Sequence, residues 1–182
     1  NAHQSLRVMG YGGHREVEQF LAIPIFAQFN PLHAGGVIDL DGEYAGSDLR
    51  WTWQTETASL AAGLSVDAPN QRRRGYENFS DDQLGVRGTL RRDESNRVRN
   101  VDEYVQANWS PHAFWSFNAG LRHSQIDFRA SDDYINGINP DDSGERDYSA
   151  TTPVLGVLMK PSADLRFYAA WGEGFETPTF AE

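Results

Sequence analysis

The feature that most constrains the fold is a repeated alternation of apolar and polar residues, in stretches separated by connections of two very different lengths. In residues 49–54, Leu49, Trp51 and Trp53 alternate with polar side chains, and residues 58–66 repeat the pattern after a three-residue turn. A period of two places successive side chains on opposite faces, as in a β-strand. Two such stretches joined by so short a turn predict an antiparallel hairpin.

The same pattern predicts seven strands along the chain. They are residues 5–20, 49–54, 58–66, 101–109, 115–122, 153–159 and 165–171. Short turns at 55–57, 110–113 and 160–163 alternate with long connections at 23–36, 67–97 and 129–147. Loops above about 12–15 residues are uncommon in compact soluble domains. Short turns at one end and long loops at the other are typical of outer-membrane barrels, with periplasmic turns and extracellular loops. We therefore predict an all-β fold, an antiparallel up-and-down meander of about seven strands.

The two faces of these strands are predicted to differ in their surroundings. Apolar side chains on one face are expected to contact lipid: Leu49, Trp51, Trp53, Leu60, Leu64, Trp109, Trp115, Phe117, Leu155, Val157, Phe167 and Trp171. The opposite face carries Arg50, Thr52, Tyr104, Gln106, Asn108, Ser116, Asn118 and Arg122, which suits a wet or plugged lumen. Trp53, Trp109 and Trp115 lie near short turns and Trp171 at the long-loop end of its strand, as amphipathic rings at membrane interfaces would.

A soluble β-sandwich or small barrel is the structural alternative, because alternation shows that one face is apolar but not what covers it. No apolar run reaches the roughly 18–20 residues of a membrane helix. The absence of cysteine excludes disulfides and thiolate metal sites. A net charge of −10 argues against nucleic acid as the partner. We expect the acid-rich segments 39–48, 77–82, 93–94 and 132–147 to be solvated loops.

No catalytic or metal-binding motif is recognisable, so we predict that the protein is not an enzyme and has no metal or cofactor. The five histidines never fall at ligand spacing. The DLDG and DDSG segments, residues 39–42 and 141–144, begin like calcium loops but lack the remaining ligands, which favours solvated turns. Phosphate loops, nucleophile elbows and zinc-protease motifs do not occur.

The end of the chain carries a resemblance to a known family. After an alternating strand, residues 172–182 read GEGFETPTFAE, which is similar to the turn where barrel strands of TonB-dependent outer-membrane receptors enter an extracellular loop. Other stretches resemble the subgroup that takes up pyrroloquinoline quinone (PQQ): IP at 23–24, NPLHAGGVI at 30–38, RWT at 50–52, GYENF at 75–79, LRRDESN at 90–96 and DDSG at 141–144.

The resemblance implies a partial barrel domain over residues 1–182, part of the wall of a 22-stranded transmembrane barrel that surrounds a plug. It implies an outer-membrane location in a Gram-negative cell and coupling to the TonB energy-coupling complex through the plug. We expect the plug, the TonB box, the other strands and any export signal to be encoded outside these residues. Outer-membrane lipid and lipopolysaccharide are further expected partners.

The first-choice ligand is PQQ, a small anion with several carboxylates around a planar quinone. Arginine forks bind carboxylates and aromatic rings stack on planar groups. Expected contacts in the outer loops are His33, Arg72, Arg73, Arg74, Tyr76, Arg91 and Arg92. The arginines have an alternative role, pairing with neighbouring acids or with lipopolysaccharide phosphates. A ferric siderophore or ferric citrate is the alternative ligand, and a soluble β-sheet binding module is the alternative class.

Overall fold

A computed structural model describes residues 3–178; the last four residues of the GEGFETPTFAE stretch lie outside the described residues. The elements in chain order are β1 His3–Phe20, α1 Ile25–Gln28, β2 Val37–Gln54, β3 Ala58–Asp67, β4 Asn70–Tyr76, β5 Phe79–Ser80, β6 Gln83–Leu84, β7 Leu90–His112, β8 Trp115–Asp132, β9 Gly144–Met159 and β10 Phe167–Gly172. The fold is thus nearly all β, as predicted.

The strands form an antiparallel meander in the order β1-β2-β3-β7-β8-β9-β10. The element β4 pairs with the same two neighbours as β3, namely β2 and β7, so the two act as one strand. The interruption falls at Pro69, which has no N–H to donate to a ladder. The backbone still bonds across the break, because Ala68 N–H donates to Ala45 O and Val98 N–H to Pro69 O. The predicted seven-strand wall is therefore confirmed.

Several strands are longer than predicted, so parts of the predicted loops are wrong: residues 93–94 belong to β7, residues 129–132 to β8 and residues 144–147 to β9. The acid-rich residues 39–48, including the DLDG segment expected to be a turn, belong to β2. The predicted connection 67–97 contains β4 and the start of β7, which leaves only residues 77–89 and the small β5–β6 hairpin between strands. These extensions consist mainly of polar residues and glycine, with scattered apolar residues such as Ile38 and Leu40, so no sustained apolar alternation marks them as strands. These extensions are strands because their backbone groups form hydrogen bonds with the neighbouring strands.

Strand register assigns every side chain to one of two faces. Paired residues in an antiparallel sheet share a face, and rows of pairs such as Leu6–Trp51–Ala62–Val105–Leu121 run across the sheet. All twelve residues predicted to contact lipid fall on this side, which we call the apolar face. The eight polar residues that we expected opposite them all fall on the other side, which we call the polar face.

The apolar face is open in the described structure. Val37 is the one hydrophobic residue there that is fully buried, whereas Trp109, Leu155 and Trp171 are each more than half exposed. A one-layer sheet has no second layer against which these side chains can pack. Their burial therefore requires another molecule or a lipid layer in contact with this face.

Polar contacts cover the polar face. Arg122 donates two hydrogen bonds, of 2.9 and 2.6 Å, to the Asp102 carboxylate, which is only 4% exposed. Ser124 Oγ donates to the same carboxylate. Closer to the short turns, Ser5 and Thr52 bond at 2.6 Å, and Asn108 donates to Ser59 at 3.2 Å. A face built from such pairs can be hydrated at little cost.

Aromatic rings cluster at the short-turn end of β7 and β8. The Phe117 ring lies 5.7 Å from Trp109 and 5.8 Å from Trp115, measured between centroids. Trp171 lies at the long-loop end of its own short strand, β10, as expected. It pairs with Leu155, in the row of Trp53 and Leu60, so β10 ends well before the long-loop end of the sheet.

Candidate functional site

The three long connections all lie at one end of the sheet, because each joins the same ends of neighbouring antiparallel strands. They are residues 21–36, 77–89 and 133–143. Loops carried on a rigid sheet are common places for binding residues. We call this end the loop end. Of the candidate ligand contacts expected in outer loops, only His33 lies in a connection; the others lie in strands near the loop end, Arg72, Arg73, Arg74 and Tyr76 in β4 and Arg91 and Arg92 in β7.

A buried pair of amides holds the first two connections together. Gln28, at the end of α1, is fully buried and Asn78 is 6% exposed. Gln28 Nε2 donates to Asn78 Oδ1 at 2.7 Å, and Asn78 N–H donates to Gln28 Oε1 at 3.2 Å. Asn78 Nδ2 also donates to the carbonyls of Leu21 and Ile23. A buried polar pair satisfied in this way orders the backbone around it.

Two glycines allow residues 30–36 to cross the sheet closely. Gly35 has φ +88°, a conformation that favours glycine. Gly75 lies on the polar face, where an added Cβ would be 2.2 Å from the carbonyl oxygen of Ala34. Gly36 N–H donates to Tyr76 O at 2.8 Å, which fixes this approach. The first connection therefore folds over the polar face of the sheet.

His33 lies in this crossing segment and is half-buried. Its Nδ1 accepts a hydrogen bond from Gly35 N–H at 3.0 Å, which turns the ring within the loop. Since Nδ1 is engaged, Nε2 is the ring nitrogen that is left to bond another partner.

Register divides the predicted arginine cluster between the two faces. Arg72, Arg74 and Tyr76 share the apolar face, since they pair with Asp41, Asp39 and Val37 of β2. Arg73 lies on the polar face, as does Arg92. The three consecutive arginines therefore do not point at one common ligand.

Most of these arginines already have carboxylate partners. Arg72 donates to both oxygens of Asp93, at 2.8 and 2.7 Å, and this hydrogen bonding raises the pKa of Arg72 further above its ordinary value. Arg74 lies 3.2 Å from Asp39, Arg91 lies 2.9 Å from Glu77, and Arg92 lies 2.9 Å from Glu94. Arg91 also donates to Asn30 O at 2.6 Å and so ties the first connection to β7.

Arg73 differs from its neighbours. It is half-buried on the polar face, and no ion pair to it occurs among residues 3–178. Tyr76 has a cationic neighbour instead, since the Arg87 guanidinium lies 4.6 Å from its ring centroid. Arg87 in turn contacts Glu18 and Asp39. Electrostatic pairing at the loop end is therefore nearly complete, with Arg73 as the exception within the predicted set.

Exposed apolar side chains at the loop end were missed by the sequence reasoning. Phe26 is 75% exposed, Phe29 69% and Leu32 61%. An open cavity of about 800 Å³ lies between residues 20–29 and 78–85, lined mainly by apolar side chains. The apolar composition of residues 23–29 could have revealed them. Aromatic residues in an exposed loop do not contribute to a folded core, and exposed apolar patches often mark binding sites.

One exposed group has the atoms of a cation site. His14, Glu16 and Asp41 place one ligand atom each within 4.8 Å of one another. His14 Nε2 lies 3.0 Å from Glu16, and this hydrogen bond raises the pKa of His14 above 6.5. The three residues come from the paired strands β1 and β2, so their positions in the sequence did not show that they lie close together.

The fold and the loop end together match a class of protein, the wall of a membrane-spanning barrel, whose strands have one apolar and one polar face and whose long loops lie at one end. The model of the family described as "TonB dependent receptor-like, beta-barrel" matches residues 7–182. The chain belongs to this family, whose members are outer-membrane transport receptors and not enzymes. Among the described residues, no helix is long and apolar enough to cross a membrane.

Proposed function

We propose that this protein takes up a small anionic ligand across the outer membrane of a Gram-negative cell, with PQQ as first choice. Membership in the receptor family supports the transport role. The partners that we propose are the TonB energy-coupling complex, the ligand, and outer-membrane lipid including lipopolysaccharide. The stretches similar to PQQ receptors, among them NPLHAGGVI and GYENF, support the ligand. They are also the stretches that meet at Gly35, Gly36 and Tyr76.

The observation that carries the proposal is the polarity of the faces at the loop end. A ligand that enters the barrel meets the polar face and the loop folded over it. Arg73, Arg92 and His33 lie on that side and are the foremost proposed contacts. Phe26 and Phe29 offer aromatic surface for a planar ligand.

The other proposed contacts rank lower. Arg72, Arg74 and Tyr76 lie on the apolar face, and Arg91 is engaged by Glu77 and Asn30. The twelve apolar-face residues, from Leu49 to Trp171, are proposed to contact lipid. The loss of Arg72, Arg74 or Arg91 would disturb loop structure before it affected a ligand.

PQQ binding to the full-length receptor in detergent tests the proposal, with ferric siderophores and ferric citrate as competitors. Arg73→Ala is expected to weaken PQQ binding about 10–100-fold, the value of a charge-assisted hydrogen bond of about 1.5–3 kcal/mol. Arg50→Ala is the matched control, an exposed polar-face arginine far from the loops, and should leave the Kd within about threefold.

Two results would change the assignment. If PQQ does not bind but a ferric complex binds saturably, the transport class stands and the alternative ligand replaces PQQ. If the protein is monodisperse without detergent, the soluble binding module becomes the better description.

A further inference from the structure

Four titratable side chains share one face of the β1–β2 ladder, in its half nearer the loop end. Register pairs His14 with Glu43 and Glu16 with Asp41. Residues two apart on a strand and their cross-strand partners lie on one face, so the four side chains form a square on two neighbouring strands. The square begins six positions beyond Val8, the nearest large apolar residue of β1 on this face, or about 20 Å along the strand. It is therefore well separated from the apolar rows.

Two carboxylates of this square face each other. Glu16 and Asp41 are directly opposite, and like charges in a cross-strand pair destabilise a sheet unless a counter-charge lies between them. Within residues 3–178 the basic side chain that contacts both is His14, whose Nε2 lies 3.0 Å from Glu16 and whose Nδ1 lies 3.6 Å from Asp41. When the imidazole is neutral, neither carboxylate is compensated.

The arginines beside the square are engaged by other acids. Arg72 lies opposite Asp41 on β4, but its two donor groups bond to both oxygens of Asp93, at 2.8 and 2.7 Å. The remaining nearby arginines also have acidic partners, Arg74 with Asp39, and Arg87 with Glu18 and Asp39. The square therefore keeps three carboxylates against one imidazole.

The ligand atoms are close to the spacing that a small cation requires. One atom each of His14, Glu16 and Asp41 lies within 4.8 Å of the others. Zinc bonds of about 2.0–2.2 Å place the ligand atoms of a tetrahedral site roughly 3.3 Å apart. The three side chains are 49%, 76% and 47% exposed, so rotamer changes alone bring their atoms together. Glu43, exposed and opposite His14, supplies a further carboxylate.

We propose that His14, Glu16, Asp41 and Glu43 bind a divalent transition-metal ion of the class of Zn²⁺. An imidazole nitrogen combined with carboxylate oxygens suits such an ion, whereas Ca²⁺ and Mg²⁺ are bound by oxygen ligands. The ion neutralises the opposed Glu16–Asp41 pair and links β1 to β2. None of the four residues is a proposed ligand contact, so the site stands independently of the proposed uptake function.

The test uses the full-length receptor in detergent, without a histidine tag and stripped of metal with EDTA. Zn²⁺ alone is added, and native mass spectrometry counts the bound ions. His14→Gln with Asp41→Asn is expected to bind one Zn²⁺ fewer than the unaltered receptor. His123→Gln with Glu103→Gln is the matched control, because this cross-strand His–Glu pair on the same face lacks the opposed carboxylates, and the count should not change. Circular dichroism verifies that both variants are folded.

Labelling of the unaltered receptor with diethyl pyrocarbonate is a second measurement that needs no variant. Zn²⁺ should slow the modification of His14 at least fivefold and leave that of His123 unchanged. Equal zinc counts in the two double variants would overturn the site, as would equal labelling of His14 with and without Zn²⁺. Displacement of Zn²⁺ by Ca²⁺ at equal concentration would show a diffuse acidic surface instead of a site that uses the imidazole.

Discussion

At the scale of single residues, contacts across the sheet decide which candidate side chains remain available. Arg72 and its partner Asp93 are 21 positions apart, so their pairing depends on the register between β4 and β7. Sequence reasoning raised acid pairing as one role for the arginines but offered no way to choose the partners. The same limit hid the Gln28–Asn78 pair, whose members are 50 positions apart.

Gln28→Leu should loosen the first connection without disturbing the wall. The change leaves the Asn78 N–H and amide oxygen without Gln28, and each unsatisfied buried group costs about 1–3 kcal/mol. Hydrogen exchange by mass spectrometry should show faster exchange in residues 21–36 and 77–89 and unchanged exchange in β7 and β8. Gln83→Leu, at an exposed position in β6, is the control. Unchanged exchange in the Gln28 variant would show that the amide pair does not order the loops.

His14 should titrate above its ordinary pKa of 6.5, because its protonated form bonds to Glu16 and lies near Asp41. A raised folded-state pKa means that the stabilising contact is fully present below pH 6.5 and is lost as the pH rises through the raised value. Imidazole hydrogen–deuterium exchange measures this pKa. Glu16→Gln should lower it, whereas Glu145→Gln on the distant β9 should not. An equal pKa in the Glu16 variant would rule out that hydrogen bond as the cause.

At the scale of elements, apolar alternation predicted the strands only where one face is apolar. The hairpin around residues 55–57 and the strands at 101–109 and 115–122 were predicted for that reason, and the register confirms which of their residues share a face. Beyond the apolar rows, β2 and β7 continue with mainly polar residues, and the apolar Ile38 and Leu40 of β2 lie on the polar face. There the strand is maintained by backbone hydrogen bonds to its neighbours, and the side-chain pattern does not predict it.

Depth along a strand should set the cost of a charge on the apolar face. Leu155→Arg, in the row of Trp53 and Trp171, should reduce barrel insertion by about 2–4 kcal/mol if it lies near the bilayer midplane. Leu64 pairs with Glu103 at the polar boundary, so Leu64→Arg should cost only about 0–1 kcal/mol. Folding titrations into lipid vesicles measure both values.

Asn118→Arg is the control for Leu155→Arg, since Asn118 lies on the adjacent strand and faces the polar side. It should be tolerated. Severe misfolding of this variant, together with normal insertion of Leu155→Arg, would reverse the assignment of the two faces.

At the scale of the whole molecule, a single-layer sheet with one apolar and one polar face is stable only if each face has surroundings of matching polarity. The apolar face lacks a packing layer, and the polar face presents exposed residues such as Arg50 and Asn118. Lipid outside and a hydrated or plugged lumen inside satisfy both conditions. This is the arrangement of the family to which the chain belongs. The residue pattern predicted the two unlike faces because a period of two places apolar and polar side chains on opposite sides of a strand.

The most direct test of this arrangement is spin-label accessibility in the receptor reconstituted in a bilayer. The chain itself contains no cysteine, so single cysteines are introduced within it, with cysteines elsewhere in the receptor replaced by serine. Labels at Leu121 and Leu155 are predicted to collide with oxygen dissolved in lipid and to be shielded from a water-soluble nickel reagent. Labels at Gln106 and Asn118 are predicted to show lower oxygen accessibility. Nickel access at Leu121 and Leu155, with oxygen access at Gln106 and Asn118, would contradict the account.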